Sequence, residues 1–233
     1  VMYPPNPIRK LDNSLTARQQ AGRDFFVNTP SFAFGEVFTC EGCHTIDPQG
    51  NAQHGVDFPG FFGTNGQVVT GEFSQTFKIP HLRNLYTKVG TFGFGDGDLA
   101  FNVPALPYYD PSHQGDQIRS FGYTHDGSKD TPMRFFNAFA ATPQVPTGFT
   151  NFDDMKKVAE FVFAFDSNLK PIVGQQITLT SSNSATAGPR IDLLRQRADL
   201  GECELIAKAQ FFGVELGVYY TNGRYTTSVA LAP

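Results

Sequence analysis

Apolar residues recur at helical spacing in three stretches of this chain and give way to alternation near its end. Behind Thr16, Ala17, Ala21 and Phe25 share one helical face, and Gly22 and Phe26 share the next. Thr16 with Gln19 three positions on forms a capping box, which predicts a helix start. A second helix is predicted from Thr131 as N-cap, with Pro132 at the first helical position and Met133, Phe135, Phe136 and Phe139 behind it. A third is predicted over 152–165, capped by Asn151, with Met155, Val158, Ala159 and Val162 as its apolar stripe. This helix is expected to close over the Gly22/Phe26 helix. Between the first two lies 45–122, rich in Gly, Pro, Asp and Phe and without periodicity. Irregular chain of that length counts against a compact domain unless something fills it.

Past residue 170 the pattern changes. A strand is predicted over 175–180, a polar loop over 181–187, and a helix over 189–200 with Ile191, Leu194 and Ala198 on one side. Strands follow over 202–212 and 214–220, and Asn222-Gly223 is a hairpin turn into a further strand over 224–230. Residues 1–13 are proline-rich and aperiodic, and read as a linker or arm. The expected layout is therefore the arm (1–13), a mainly α domain with long irregular loops (14–170) and a small α+β, β-rich appendage (171–233).

What could fill the irregular middle is suggested by Cys40-Glu41-Gly42-Cys43-His44. Two thiols at this spacing, followed at once by histidine, read as a c-type haem attachment site. Each thiol adds across one vinyl group of the porphyrin, and His44 then ligates iron from one face. Two other readings fit less well. A structural zinc site lacks a second cysteine pair, and a thioredoxin-like redox pair lacks a βαβ setting. Phe58, Phe61, Phe62, Phe73 and Phe77 are candidates to pack on the porphyrin, in a chain with 24 phenylalanines and no tryptophan. The remaining cysteine, Cys203, reads as a small buried hydrophobe.

Charge and hydropathy exclude other classes. The net charge of −4 gives no footprint for nucleic acid. No apolar run reaches membrane-spanning length, and nothing at Val1 resembles a signal peptide. The opening Val1-Met2-Tyr3-Pro4-Pro5-Asn6-Pro7 suggests a processed chain or a piece of a longer one. Haem is attached outside the cytoplasm in bacteria, so the motif predicts a periplasmic or extracellular location.

Two further phrases carry a resemblance: Phe77-Lys78-Ile79-Pro80-His81-Leu82-Arg83-Asn84-Leu85 and Gly122-Tyr123-Thr124-His125-Asp126-Gly127-Ser128. With the haem motif before them and a helix after, they make residues 14–168 resemble the C-terminal haem domain of the di-haem cytochrome c peroxidase and MauG-like family. The resemblance implies a cytochrome c-like fold with one covalent haem c, in which the glycine of the first helix admits a close crossing. In that family a methionine or a tyrosine in the helix after the His-Asp-Gly phrase ligates iron. Here the matching position is Phe139, which cannot. The distal candidates are therefore His125, sitting in a loop the resemblance places near the haem, and Met133 as the alternative, ahead of His81, His113 and His54.

Arg83 is a candidate for a haem propionate, since guanidinium matches carboxylate with a fork of donors. The Pro80 carbonyl is a candidate acceptor for the free ring nitrogen of His44. Asp96, Asp98, Asp110 and Asp116 cluster where that family has calcium, but Gly95-Asp96-Gly97-Asp98 does not match an EF-hand loop, and solvated turn aspartates are the better reading than a calcium site.

One covalent haem favours electron transfer through six-coordinate low-spin iron, with a redox protein or another haem protein as partner. A peroxidase or MauG-like activity is the alternative and needs a second haem from elsewhere. A haem-bearing subunit of a larger extracellular assembly is compatible with either.

Overall fold

The structure, a computed structural model, describes residues 3–33, 36–44, 46, 67–69, 76–78, 80–88, 122–123, 131–139 and 148–227. The chain divides into two compact units, Leu15–Asp166 and Val1–Ser14 with Ser167–Pro233.

The first unit is built on a pair of helices from its two ends. Helix α1 (Ala17–Asn28) starts at the predicted capping box: the Thr16 hydroxyl accepts from the Gln19 N–H, and the Gln19 side chain accepts from the Thr16 N–H. Helix α4 (Phe152–Phe163) is capped by Asn151, whose side chain accepts from the Asp154 N–H at 2.9 Å. The two helices cross at Gly22. A β-carbon there would collide with the Lys157 carbonyl oxygen and reach 3.0 Å from the Phe161 Cβ. Hydrogen in place of a side chain thus lets two backbones touch.

Around the crossing lies the core. The α4 stripe is buried as its periodicity predicts, with Met155 and Val158 wholly inaccessible and Ala159 and Val162 nearly so. Phe26 meets Phe161 edge-on at 5.4 Å and Phe165 at 5.9 Å, and Phe25 stacks on Phe149 at 4.8 Å. At the rim, Arg18 on α1 pairs with Asp153 and Glu160 on α4. These pairs are exposed and contribute little individually.

Smaller elements complete this unit. Strands β1 (Ser31–Ala33) and β2 (Glu36–Phe38) form an antiparallel pair. Helix α2 (Cys40–Cys43) is a single turn. Strands β3 (Gln67–Val69) and β4 (Thr76–Lys78) pair antiparallel, and a 3₁₀ turn spans Leu85–Lys88. Helix α3 (Pro132–Phe139) begins at the predicted proline. None of the four short strands is expected from the sequence, because three residues are too few to show alternation.

In the second unit, residues from the amino terminus are hydrogen-bonded to the segment after 166. The Tyr3 N–H donates to Asn168 Oδ1 at 2.9 Å, and the Ser167 hydroxyl donates to the Pro4 carbonyl at 2.8 Å. Asn6 is almost fully buried. The appendage is α+β as expected, with two differences. Residues 175–180 form no strand. The Asn183 side chain instead accepts from the Thr180 N–H and donates to the Thr178 carbonyl, closing a local turn that competes with a ladder. Helix α5 (Ser184–Asp199) starts five residues before the predicted proline and runs across Pro189, which cannot donate to the Ala185 carbonyl. Buried Ala187 and Leu194 hold it in place on either side of that gap.

Strands β5 (Leu205–Phe211), β6 (Val214–Thr221) and β7 (Arg224–Thr227) form an antiparallel sheet in that order. Both connections are two-residue turns with left-handed backbone: Phe212-Gly213 at φ 47° and 78°, and Asn222-Gly223 at 49° and 79°. Tyr220 is buried and donates to Asp199 Oδ2 on α5 at 2.9 Å. Arg197, in the last turn of α5, and Glu202, just after it, form a forked pair at 2.8 and 2.7 Å. No helix among the described residues is long and apolar enough to cross a membrane.

Candidate functional site

The Cys-x-x-Cys-His segment is shaped by a helix cap. The Thr39 hydroxyl accepts from the Gly42 N–H at 3.1 Å, and Glu41 places negative charge in the first turn. Cys40 is the first residue of α2 and Cys43 the last. His44 follows as the C-cap, its N–H donating to the Cys40 carbonyl at 2.8 Å. One helical turn therefore carries both cysteines and hands the chain directly to the histidine. Thr39 is a site residue the sequence reading missed, although a threonine directly before this turn is the ordinary signal for a cap.

His44 reaches the phrase that contains Pro80. Its Nδ1 lies 2.8 Å from the Pro80 carbonyl oxygen. A carbonyl only accepts, so Nδ1 carries the proton, and in the neutral ring Nε2 keeps its lone pair. Burial holds the imidazole's pKa below the ordinary histidine range, while the hydrogen bond to Pro80 pulls the other way. A neutral histidine of fixed tautomer with a bare Nε2 is the form that ligates metal.

His81, one residue on, is held in the opposite tautomer. Its Nδ1 accepts from the Arg83 N–H at 3.0 Å, which puts the neutral ring's proton on Nε2. Arg83 is 7% exposed. Its guanidinium donates to the Ile46 carbonyl at 3.0 Å and to the His81 carbonyl at 3.2 Å, and lies over the Phe165 ring at 5.4 Å. On either side of it, Leu82 and Asn84 adopt left-handed backbone at φ 59° and 62°.

These residues border the core. Cys40, Ile46 and Leu82 pack against the buried cluster that contains Met133, Tyr123 and Leu85. Met133 is 7% exposed. The Tyr123 hydroxyl donates to the Leu85 carbonyl at 2.9 Å, joining two stretches far apart in sequence. His125, His54, His113, Phe58, Phe61, Phe62, Phe73 and the four clustered aspartates lie outside the described residues, as does the side chain of Phe77. Cys203 is half-buried in the second unit. Burial raises its thiol pKa first and Glu202 adds to the shift, so it is held protonated.

No protein-family model, curated protein or solved structure matches this chain. The chemistry of the site is therefore argued from its own donors. Two cysteines on one turn, a neutral imidazole with a free Nε2, and apolar side chains alongside form a donor set that suits a covalently attached haem.

Proposed function

We propose that Cys40 and Cys43 carry one haem c, that His44 ligates its iron through Nε2, and that the chain is a mono-haem electron-transfer cytochrome. The observation that carries this reading is the His44–Pro80 hydrogen bond directly after two cysteines on a single helical turn. On this reading the helical unit is a cytochrome c-like domain, supported by the α1–α4 crossing at Gly22 as well as by the sequence phrases. The bound haem would supply one-electron exchange. The chain's own work is to hold one ring tautomer, bury the site's apolar side and adjust ligand basicity.

For the sixth ligand, His125 leads and Met133 is the alternative. Met133 belongs to the cluster that Cys40 and Ile46 touch, which favours it over His81, whose ring is committed to the Arg83 N–H. Haem attachment chemistry gives a periplasmic or extracellular location and a redox or haem protein as partner.

The test is production of the chain together with a cytochrome c maturation system, followed by acid–acetone extraction and an optical spectrum. Haem that stays with the polypeptide, and is lost in Cys40→Ser/Cys43→Ser, is the expected result. Haem that is not retained refutes the reading. A low-spin ferric spectrum without the methionine–iron charge-transfer band selects a second histidine, with His125→Ala the variant that tests His125, and the presence of that band selects Met133. A high-spin spectrum that shifts on adding peroxide or cyanide replaces electron transfer with catalysis.

A further inference from the structure

We infer that Arg83 is a positioning residue whose guanidinium clamps the segments carrying His44 and Pro80 to each other and thereby holds the His44 ring in its Nδ1–H form. Among the described residues, two rungs join these segments. One is the His44 Nδ1–H to the Pro80 carbonyl at 2.8 Å. The other is the Arg83 guanidinium, which crosses to donate to the carbonyl of Ile46, two residues after His44, and is steadied by a second bond to the His81 carbonyl within its own segment. With the short chain links between them, the rungs close a ring of contacts. Breaking the arginine rung loosens the carbonyl side of the His44 hydrogen bond.

The surroundings fit a clamp. Arg83 is 7% exposed and its guanidinium lies over Phe165, so it is anchored to the core from behind. A planar fork can serve two carbonyls at once, whereas a lysine ammonium acts as a single flexible point. Leu82 and Asn84 take left-handed backbone on both sides of Arg83, a conformation that asparagine tolerates but that costs a residue such as Leu82 about 1–2 kcal/mol. A chain holds such residues only where its surroundings fix them. The clamp is built from this chain's own residues. Only its use, presenting Nε2 to iron, rests on the haem reading.

The experiment uses the full chain produced without haem and labelled with ¹⁵N-histidine. Long-range ¹H–¹⁵N spectra report the His44 tautomer in the wild type, Arg83→Met and Arg83→Lys, with His81 as an internal comparison. The wild type is expected to show His44 as Nδ1–H. Folded Arg83→Met is expected to show at least a third of His44 as Nε2–H, with Arg83→Lys between the two. A folded variant of either kind that keeps His44 wholly Nδ1–H overturns the clamp. If both variants fail to fold, the wild-type chain decides through proton exchange. Protection of the His44 Nδ1–H within tenfold of that of the Arg83 guanidinium protons supports a common opening, and weaker protection by more than tenfold overturns it. A chain that shows the tautomer shift yet retains no haem would remove the haem reading and keep the clamp.

Discussion

Gly22→Ala tests the backbone contact on which the first unit is built. In an isolated helix the change is favourable by about 1 kcal/mol, because alanine loses less backbone entropy than glycine. Here the added methyl meets the Lys157 carbonyl and comes to 3.0 Å of the Phe161 Cβ. The first obstacle is backbone, so no rotamer change relieves it, and α1 and α4 must separate. Separation also loosens the edge-on contacts of Phe26 with Phe161 and Phe165. Overpacking of a well-filled core costs about 1–3 kcal/mol, and the rigid obstacle puts this site at or above the upper end. After subtracting the propensity gain, the net loss is about 2 kcal/mol, or a fall in melting temperature of roughly 4–8 °C. The chain has no tryptophan, so thermal unfolding is followed by far-ultraviolet circular dichroism. Hydrogen exchange in peptides from α1 and α4 assigns the transition to this unit. A melting temperature that is unchanged or raised, with unaltered exchange, would refute the close crossing.

Other perturbations follow from the same structure. Phe212 holds a left-handed turn position with 93% of its surface exposed, whereas the equivalent position of the next turn is Asn222. Phe212→Asn should therefore stabilise the second unit by about 0.5–1 kcal/mol in urea unfolding, and a loss of stability would contradict the strain argument. Glu202→Gln removes the charge facing Arg197 in a pair whose side chains are only 12% and 14% exposed. It should cost the second unit about 1–3 kcal/mol, read from the denaturation midpoint, and a neutral result would show the fork to be ornamental. Asp153 is held below the ordinary aspartate value of 3.8, first by Lys157 and then by Arg18. Its contribution is thus complete above that value and is lost as the pH falls below it. Arg18→Ala should flatten the acid limb of the first unit's stability profile, and an identical limb would rule out the pair as its source.

Much of this was legible because short-range chemistry decided it. Thr16 with Gln19, Asn151 before α4, Pro132 at the head of α3 and Asn222-Gly223 each act within four residues, and each stands where the sequence puts it. Gly22 could be read as a crossing point only with a partner helix in mind. Its contact with Lys157 confirms the crossing but not the family it resembles. Elsewhere a longer-range competitor won. The Asn183 side chain took the backbone groups a strand at 175–180 would have used, and burial of Ala187 carried α5 across Pro189. At the site, Cys40, Cys43 and His44 were visible as a motif, and the Pro80 contact could be anticipated from the phrase that contains it. The double role of the Arg83 guanidinium could not, because two backbone carbonyls leave no mark on residue identity.

The crossing at Gly22 also sets an order of events during synthesis. Helix α1 and the Cys40–His44 turn are made about a hundred residues before α4, which at usual elongation rates is a delay of roughly 5–20 s. Until α4 arrives, α1 has no surface on which to bury Phe26, and the turn beside it stands outside any finished core. Joining the ends of so long a loop is slow, yet lengthening it further adds little cost, about 0.6 kcal/mol per doubling. Helix α4 therefore acts as a clock: the crossing at Gly22 cannot close, nor Phe26 be buried on Phe161, before the intervening chain has been made.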